Sequence, residues 1–239
     1  MTFRWSHFAF ASVSLLGMGL LLLSALHWGW IIPNEPPHST FPVRGIDISH
    51  HNGSVDWAKV AQAGVTFAFL KATEGADWQD STFPSHWVEA KAAGLITGAY
   101  HFFRTTSTGA EQAANIIDLV PVEEGRLPVV IDLEFSQDHA RMTNDQFYRE
   151  LDDLLSRTRD HYGQEPILYT TAEFHQNYLQ DRAIVRLWAR AVIATPRSWG
   201  KDWHFWQYSS RGRLPGVDGR VDLNVFRGTR EEFFQYATR

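Results

Sequence analysis

Two carboxylates lie two residues apart inside the apolar run Pro128-Val129-Val130-Ile131-Asp132-Leu133-Glu134-Phe135. An extended chain turns alternate side chains to opposite faces, so Val129, Ile131, Leu133 and Phe135 share one face while Asp132 and Glu134 share the other, about 7 Å apart along the strand. Two further segments repeat the logic: Gly45, Asp47 and Ser49 alternate with Ile46 and Ile48, and Asp222 and Asn224 alternate with Val221, Leu223 and Val225. Buried carboxylates are costly unless paired or hydrogen-bonded, so several facing one space imply raised pKa values, shared protons or a bound ligand. Glycoside hydrolysis most directly needs such a set, with one carboxyl group protonated to assist the leaving oxygen and one ionised to face developing positive charge.

Aromatic residues supply a matching surface. Tyr100, His101, Tyr169, Trp188, Trp206 and Tyr208 fall in strand segments or at their ends, where a sugar face could stack and hydroxyl or imidazole groups could bond its edges. Core packing competes for the same residues, and Trp57 and Trp87, on helical faces, belong to the core. His50 and His51 are adjacent and point apart in an extended segment, and no metal-ligand spacing occurs. The serine-hydrolase elbow, the dinucleotide fingerprint and the P-loop are all missing. No metal and no cofactor are therefore expected.

The elements that must position these groups alternate along the chain. Strand patterns fall at Arg44 to Ser49, Thr66 to Lys71, Ile96 to Phe103, Pro128 to Phe135, Pro166 to Thr170, Val185 to Ala189, His204 to Ser209 and Val221 to Phe226. Helical spacing occupies Val55 to Ala63, Thr82 to Ala93, Thr108 to Leu119, Thr143 to Tyr162 and Ala172 to Leu179. Strands alternating with helices predict an α/β fold with a parallel sheet. The shortened spacing after the fifth helix predicts a modified TIM-like barrel of five β/α units and three further strands, with the acids inside the carboxyl-terminal mouth; an open doubly wound sheet fits the same count.

The chain has 239 residues and a net charge of -5, without a basic cluster of the kind that neutralises phosphates, so nucleic acid is not an expected partner. It contains no cysteine, which removes disulfides and thiolate chemistry. Between Arg4 and Glu35 no charged side chain occurs, and Phe8 to Leu26 is a nearly continuous apolar run followed by Trp28 and Trp30. Roughly 20 apolar residues span a bilayer as a helix, so residues 1–32 read as a cytoplasmic tip and transmembrane anchor, residues 33–43 as a Pro-rich linker and residues 44–239 as the catalytic domain. Arg4 ahead of the run places the amino terminus inside and the domain on the extracytoplasmic side, in periplasm or cell wall. The competing reading is a cleaved signal peptide, for which Ser24-Ala25-Leu26-His27 is a poor site.

Read in order, Gly45-Ile46-Asp47-Ile48-Ser49-His50-His51-Asn52-Gly53 with Val55-Asp56-Trp57, Lys71-Ala72-Thr73-Glu74-Gly75, Gly98-Ala99-Tyr100-His101-Phe102, Asp132-Leu133-Glu134, Trp206-Gln207-Tyr208-Ser209 and Val217-Asp218-Gly219-Arg220-Val221-Asp222-Leu223-Asn224 resemble glycoside hydrolase family 25. The likeness runs from about Arg44 to Phe234. It implies an N-acetylmuramidase-type lysozyme with a barrel of five β/α units and three strands, acting on the β-1,4 bond from N-acetylmuramic acid to N-acetylglucosamine in the peptidoglycan glycan strand. It also implies Glu134 as general acid with Asp132 beside it, Asp47 and Asp222 as supporting acids, and Tyr100, Tyr169 and Trp206 against the sugar. His101, Trp188, Tyr208 and Asn224 complete the expected binding surface. One departure is Ala191-Val192-Ile193-Ala194 after Trp188-Ala189-Arg190, where family members often carry an aromatic residue.

A monomer anchored in the bilayer by its amino-terminal helix is the expected state. The i, i+2 spacing of the acids lies near the boundary between the roughly 5 Å of retaining and 6.5–9.5 Å of inverting enzymes, so it leaves the stereochemistry open. The substrate's own acetamido group offers a third route. A non-catalytic glycan-binding module and a chitinase-like hydrolase are the alternative functions, and a deacetylase would require a metal site.

Overall fold

The structure, a computed structural model, describes residues 17–136, 142–199 and 203–237. Its centre is a closed barrel. Strands β1 (Arg44–Ile48), β2 (Phe67–Glu74), β4 (Ile96–Phe102), β5 (Val130–Leu133), β6 (Ile167–Thr171), β7 (Leu187–Arg190) and β8 (Phe205–Gly212) run parallel, each paired to the next. Strand β9 (Val221–Phe226) runs against them and closes the ring by pairing antiparallel with both β8 and β1. The pairing of β1 with both β2 and β9 excludes the open doubly wound sheet. A two-residue strand, β3 (Trp78–Gln79), folds back on the end of β2.

Five helical crossovers accompany the first six barrel strands, in agreement with the spacing: α2 (Trp57–Gln62), α3 (Phe83–Ala92), α4 (Gly109–Leu119), α5 (Asn144–Tyr162) and the short α6 (Ala172–Phe174), which continues into a π-helical turn over His175–Leu179. The starts of α4 and α5 are fixed by reciprocal capping, Thr108 with Glu111 and Thr143 with Gln146, which satisfies amide groups that an uncapped helix leaves unpaired. Among the described residues, the connection from β7 to β8 holds the 3-10 turn Pro196–Trp199 and no longer helix. A last helix, α7 (Arg230–Ala237), has no counterpart in the sequence expectations.

Alternation within each strand separates two apolar layers. Ile46, Ile48, Leu70, Ala99, Ile131, Leu133 and Leu168 face outward beneath the helices, where Trp57 and Trp87 join them. Val43, Phe67, Phe69, Val130, Ile167, Trp188, Phe205 and Phe226 fill the interior, and α7 adds Phe233 from below. Phe67 lies 5.2 Å from the Phe205 ring and 5.4 Å from that of Phe233. Above them the Phe69 and Trp188 rings stack at 4.4 Å. This stack forms the floor on which the polar groups sit. Gly45 is required beside it, since a Cβ there would lie 2.3 Å from the Phe67 ring.

Residues 17–27 form helix α1. Residues 1–16 of the expected tip and anchor lie outside the described residues, and no helix among the described residues is long and apolar enough to cross a membrane. Residues 33–43, expected as a linker, lie along the outside of β7, β8 and β9. Ile32 and Phe41 pack there against the group formed by Leu187, Trp203, Trp206, Tyr208 and Val225. The Arg44 guanidinium donates to the Pro36 carbonyl and, at 3.0 Å, to the Tyr208 hydroxyl. The contacts that hold this strap are two apolar side chains and the Arg44 bond to Pro36, none with a regular period that the sequence could reveal.

Candidate active site

At the carboxyl ends of the parallel strands, a cavity of about 320 Å³ is lined by Asp47 from β1, Tyr100 from β4, Asp132 from β5, Glu134 just beyond it, Tyr169 from β6, Trp188 and Arg190 from β7, Gln207 and Ser210 from β8, and Asp222 from β9. All four acids singled out in the sequence therefore meet in one space, with three of the aromatic residues around them.

Asp47 anchors the arrangement. Its Oδ2 accepts from Asn224 Nδ2 at 2.7 Å and from Gln207 Nε2 at 3.0 Å. Each amide is itself oriented from behind: Trp188 Nε1 donates to Asn224 Oδ1 at 2.9 Å, and the Tyr169 hydroxyl donates to Gln207 Oε1 at 3.0 Å. With both amide oxygens engaged as acceptors, both amide nitrogens must face the carboxylate. The Asp222 carboxyl makes a third hydrogen bond to Asp47. Burial raises the Asp47 carboxyl and these three bonds oppose the rise. Asp222 receives no comparable help: burial, then the charge of Asp47, lifts it to about 9. At neutral pH the Asp222 carboxyl therefore carries a proton.

Across the cavity stand Asp132 and Glu134. Burial, then the negative charge of Glu134, raises Asp132 well above the usual carboxylate range, with Lys71 opposing. Burial also raises Glu134, and the Arg190 and Lys71 cations pull against it. One oxygen of Asp132, Oδ1, is buried without a hydrogen-bond partner in the protein. Two carboxyl groups in this environment cannot both ionise cheaply, so together they retain a proton. Burial and the surrounding acids likewise keep the Tyr100 and Tyr169 phenols protonated, as donors.

A second groove of about 470 Å³ adjoins the first and shares Glu134 and Arg190 with it. Phe135, Ala172, Ala191, Val192, Ile193, Ala194 and Trp199 form its walls. The aliphatic run that departs from the family pattern is thus one wall of the cleft, and an aromatic surface comes from Trp199 in the following turn. Glu134 stands at the boundary between the two spaces.

Three expected binding residues are elsewhere. His101 follows Tyr100 directly, so when Tyr100 faces the cavity His101 must face outward. It lies buried between Thr73 Oγ1, at 2.8 Å from Nδ1, and Gln112 Oε1, at 3.0 Å from Nε2, and burial lowers it to about 4. Trp206 and Tyr208 share the outer face of β8. Trp206 Nε1 donates to the Ala191 carbonyl at 2.9 Å, and Tyr208 bonds Arg44. Asn224 does reach the site, as the orienting amide behind Asp47. Of the groups that the sequence reading missed, Gln207 and Arg190 follow from the same alternation, whereas Ser210 shares the parity of Trp206 and Tyr208 and reaches the cavity where the register of β8 against β9 shifts. Gln207 sits between the two outward residues of β8, and Arg190 lies two residues past Trp188.

A parallel barrel closed by one reversed strand, with a buried set of carboxyl groups at its mouth and an open groove running past them, defines a retaining or inverting glycosidase acting on a polymer. The chain belongs to the glycosyl hydrolases of family 25, whose family model matches residues 46–217. It is 34% identical over 212 residues to Lysozyme M1 of Streptomyces globisporus, covering 81% of this chain and 70% of that protein. Among solved structures it is similar to a family 25 glycosyl hydrolase from Bacillus anthracis, with a TM-score of 0.79 and 35% identity over 85% of this chain and 97% of that one. It is also similar to the bacterial lysozyme from Streptomyces coelicolor, with a TM-score of 0.76 and 33% identity over 82% and 97%.

Proposed function

We propose that this protein, a peptidoglycan hydrolase of the muramidase type, cleaves its glycan by a substrate-assisted route in which Glu134 is the proton donor and Asp132 orients the acetamido group. The observation that carries the reading is the meeting of Asp47, Asp132, Glu134 and Asp222 around one cavity, with Glu134 at its junction with the groove. The N-acetylmuramic acid unit enters the cavity over the Trp188 floor and the leaving N-acetylglucosamine lies in the groove. Glu134 gives its proton to the glycosidic oxygen as the bond to C1 breaks. The acetamido oxygen attacks C1 from the opposite face, while its N–H donates to Asp132, whose unpartnered Oδ1 is available for that bond. Water then adds at C1, returning its proton to Glu134 and reopening the ring formed by the acetamido group. The Asp222–Asp47 pair and the two tyrosine hydroxyls hold the sugar and face the positive charge that builds at C1.

The apolar run into α1 supports a second element of the proposal: a single amino-terminal helix holds the barrel on the extracytoplasmic face of a membrane. A net charge of -5 gives no long-range attraction to an anionic wall polymer, and tethering raises the local concentration of enzyme at its substrate.

The full chain in detergent, and its Glu134→Gln variant, incubated with purified peptidoglycan and analysed by mass spectrometry after borohydride reduction, test the chemistry. Reduced muramic acid ends from the parent alone are expected, with retention of the β configuration in the first-formed product. An inverted product removes the acetamido route. Pelleting with the wall but no new ends from either protein replaces the enzyme by a binding module.

A further inference from the structure

A run of large apolar side chains left exposed among the described residues belongs to α1 and the stem that follows it. Leu20, Leu21, Leu22 and Leu23 are 52–71% exposed, Trp28 is 50% exposed and Trp30 is 74% exposed. This surface is tied to one place on the barrel. The Trp28 carbonyl accepts from Arg213 Nε at 2.8 Å, and the His27 carbonyl accepts from Arg220 Nη2 at 2.9 Å. The Arg213 guanidinium lies 6.0 Å from the Trp28 ring and 5.6 Å from that of Trp30, with Arg220 at 5.7 Å from Trp28. Gly29, at φ +73°, presses so closely on the Arg211 carbonyl that a Cβ there would sit 1.6 Å from the oxygen. No side chain fits.

The position of this attachment carries the consequence. Residues 213–220 join β8 to β9, and that corner lies at the end of the barrel where β8 finishes, the end that holds the acids. Ser210 and Asp222, on either side of the corner, both line the catalytic cavity. From there the strap returns along the outer face of β7 to β9 to the start of β1 and is fixed by Arg44. The stem is therefore held at both ends.

We propose that Trp28 and Trp30 with Arg211, Arg213 and Arg220 form a docking surface for anionic phospholipid headgroups, which seats the mouth of the barrel toward the bilayer and directs cleavage to glycan lying at the membrane surface. The proposal rests on the reading of the amino-terminal segment as an anchor. Tryptophan rings favour the headgroup level, and arginines around them meet the negative surface of an anionic leaflet. The apolar helix leads directly from this patch, so the lipid that takes up its leucines also meets the arginines.

The absence of cysteine makes the test direct. The full chain carrying Asp218→Cys, at the mouth, or Glu124→Cys, in the loop before β5 at the opposite end, is labelled with a fluorophore and reconstituted into phosphatidylglycerol vesicles containing headgroup-nitroxide lipid. Quenching several-fold greater at the mouth is expected, with the contrast lost in Gly29→Val and in Arg213→Gln/Arg220→Gln. Equal quenching of the two labels, or greater quenching of the lower one, in protein that remains with the vesicles after alkaline washing overturns the orientation and leaves the anchor intact. Protein that stays in the supernatant, as monomer or dimer, removes the anchor and the orientation together.

Discussion

Asp222 keeps its proton in the folded chain to about pH 9, whereas the same group in an unfolded chain titrates near 3.8. Across that interval the folded state binds more protons. The contribution of Asp222 to stability is thus complete below the unfolded value and is lost as pH climbs through the folded one. Asp222→Asn supplies an uncharged donor to Asp47 at every pH. Its thermal midpoint relative to the parent is expected to rise between about pH 5 and about pH 8, and parallel profiles would refute the proton on Asp222. Glu134→Gln is expected to lower turnover by about 10²–10⁴-fold with little change in wall binding, as read by initial rates and pelleting. Arg190 acts in the other direction, because its charge favours the ionised form of Glu134. Arg190→Gln should carry the alkaline limb of kcat/KM to higher pH. The acids were legible because polar residues interrupting an apolar strand at even spacing have one face to occupy. The aromatic residues were legible only in part: Tyr100, Tyr169 and Trp188 do line the cavity, but a tryptophan is equally at home on either side of a barrel wall. Only the parity set by Tyr100 and Gln207 excludes His101, Trp206 and Tyr208.

At the scale of elements, period and turn chemistry revealed all eight barrel strands and five crossovers, with boundaries moved by a few residues. The reversed direction of β9 depended on pairings between residues far apart in sequence, and α7 on the need to plug the barrel with Phe233. Two variants separate packing from chemistry. Gly45→Ala drives a methyl into the Phe67 ring and is expected to cost about 1–3 kcal/mol in denaturant unfolding, the usual toll of overpacking. His101→Leu leaves Thr73 and Gln112 without their buried partner. A loss of about 1–3 kcal/mol is expected, with kcat unchanged in the protein that remains folded. A selective loss of kcat would return His101 to the active site.

Over the whole molecule, the strap makes the domain longer than its sequence likeness suggests. A chain beginning at His27 retains Ile32 on the outer face and Pro36 on Arg44; one beginning at Thr40 does not. Arg44 is buried, so the shorter chain should unfold with at least about 2 kcal/mol less resistance, measured in urea. Equal stability would mean that the strap lies on the barrel without supporting it.

Closure by β9 also sets a timetable. Gln207 lies 160 residues from Asp47 in the chain and Asn224 lies 177 residues away, so the first acid waits for its partners until nearly all of the polypeptide is present. Contacts of such separation form late and slowly. A nascent chain, lacking its last strand, has neither a ring nor a carboxylate held ready for use. The cell that makes this enzyme carries it in a form without catalytic geometry until the final strand has arrived.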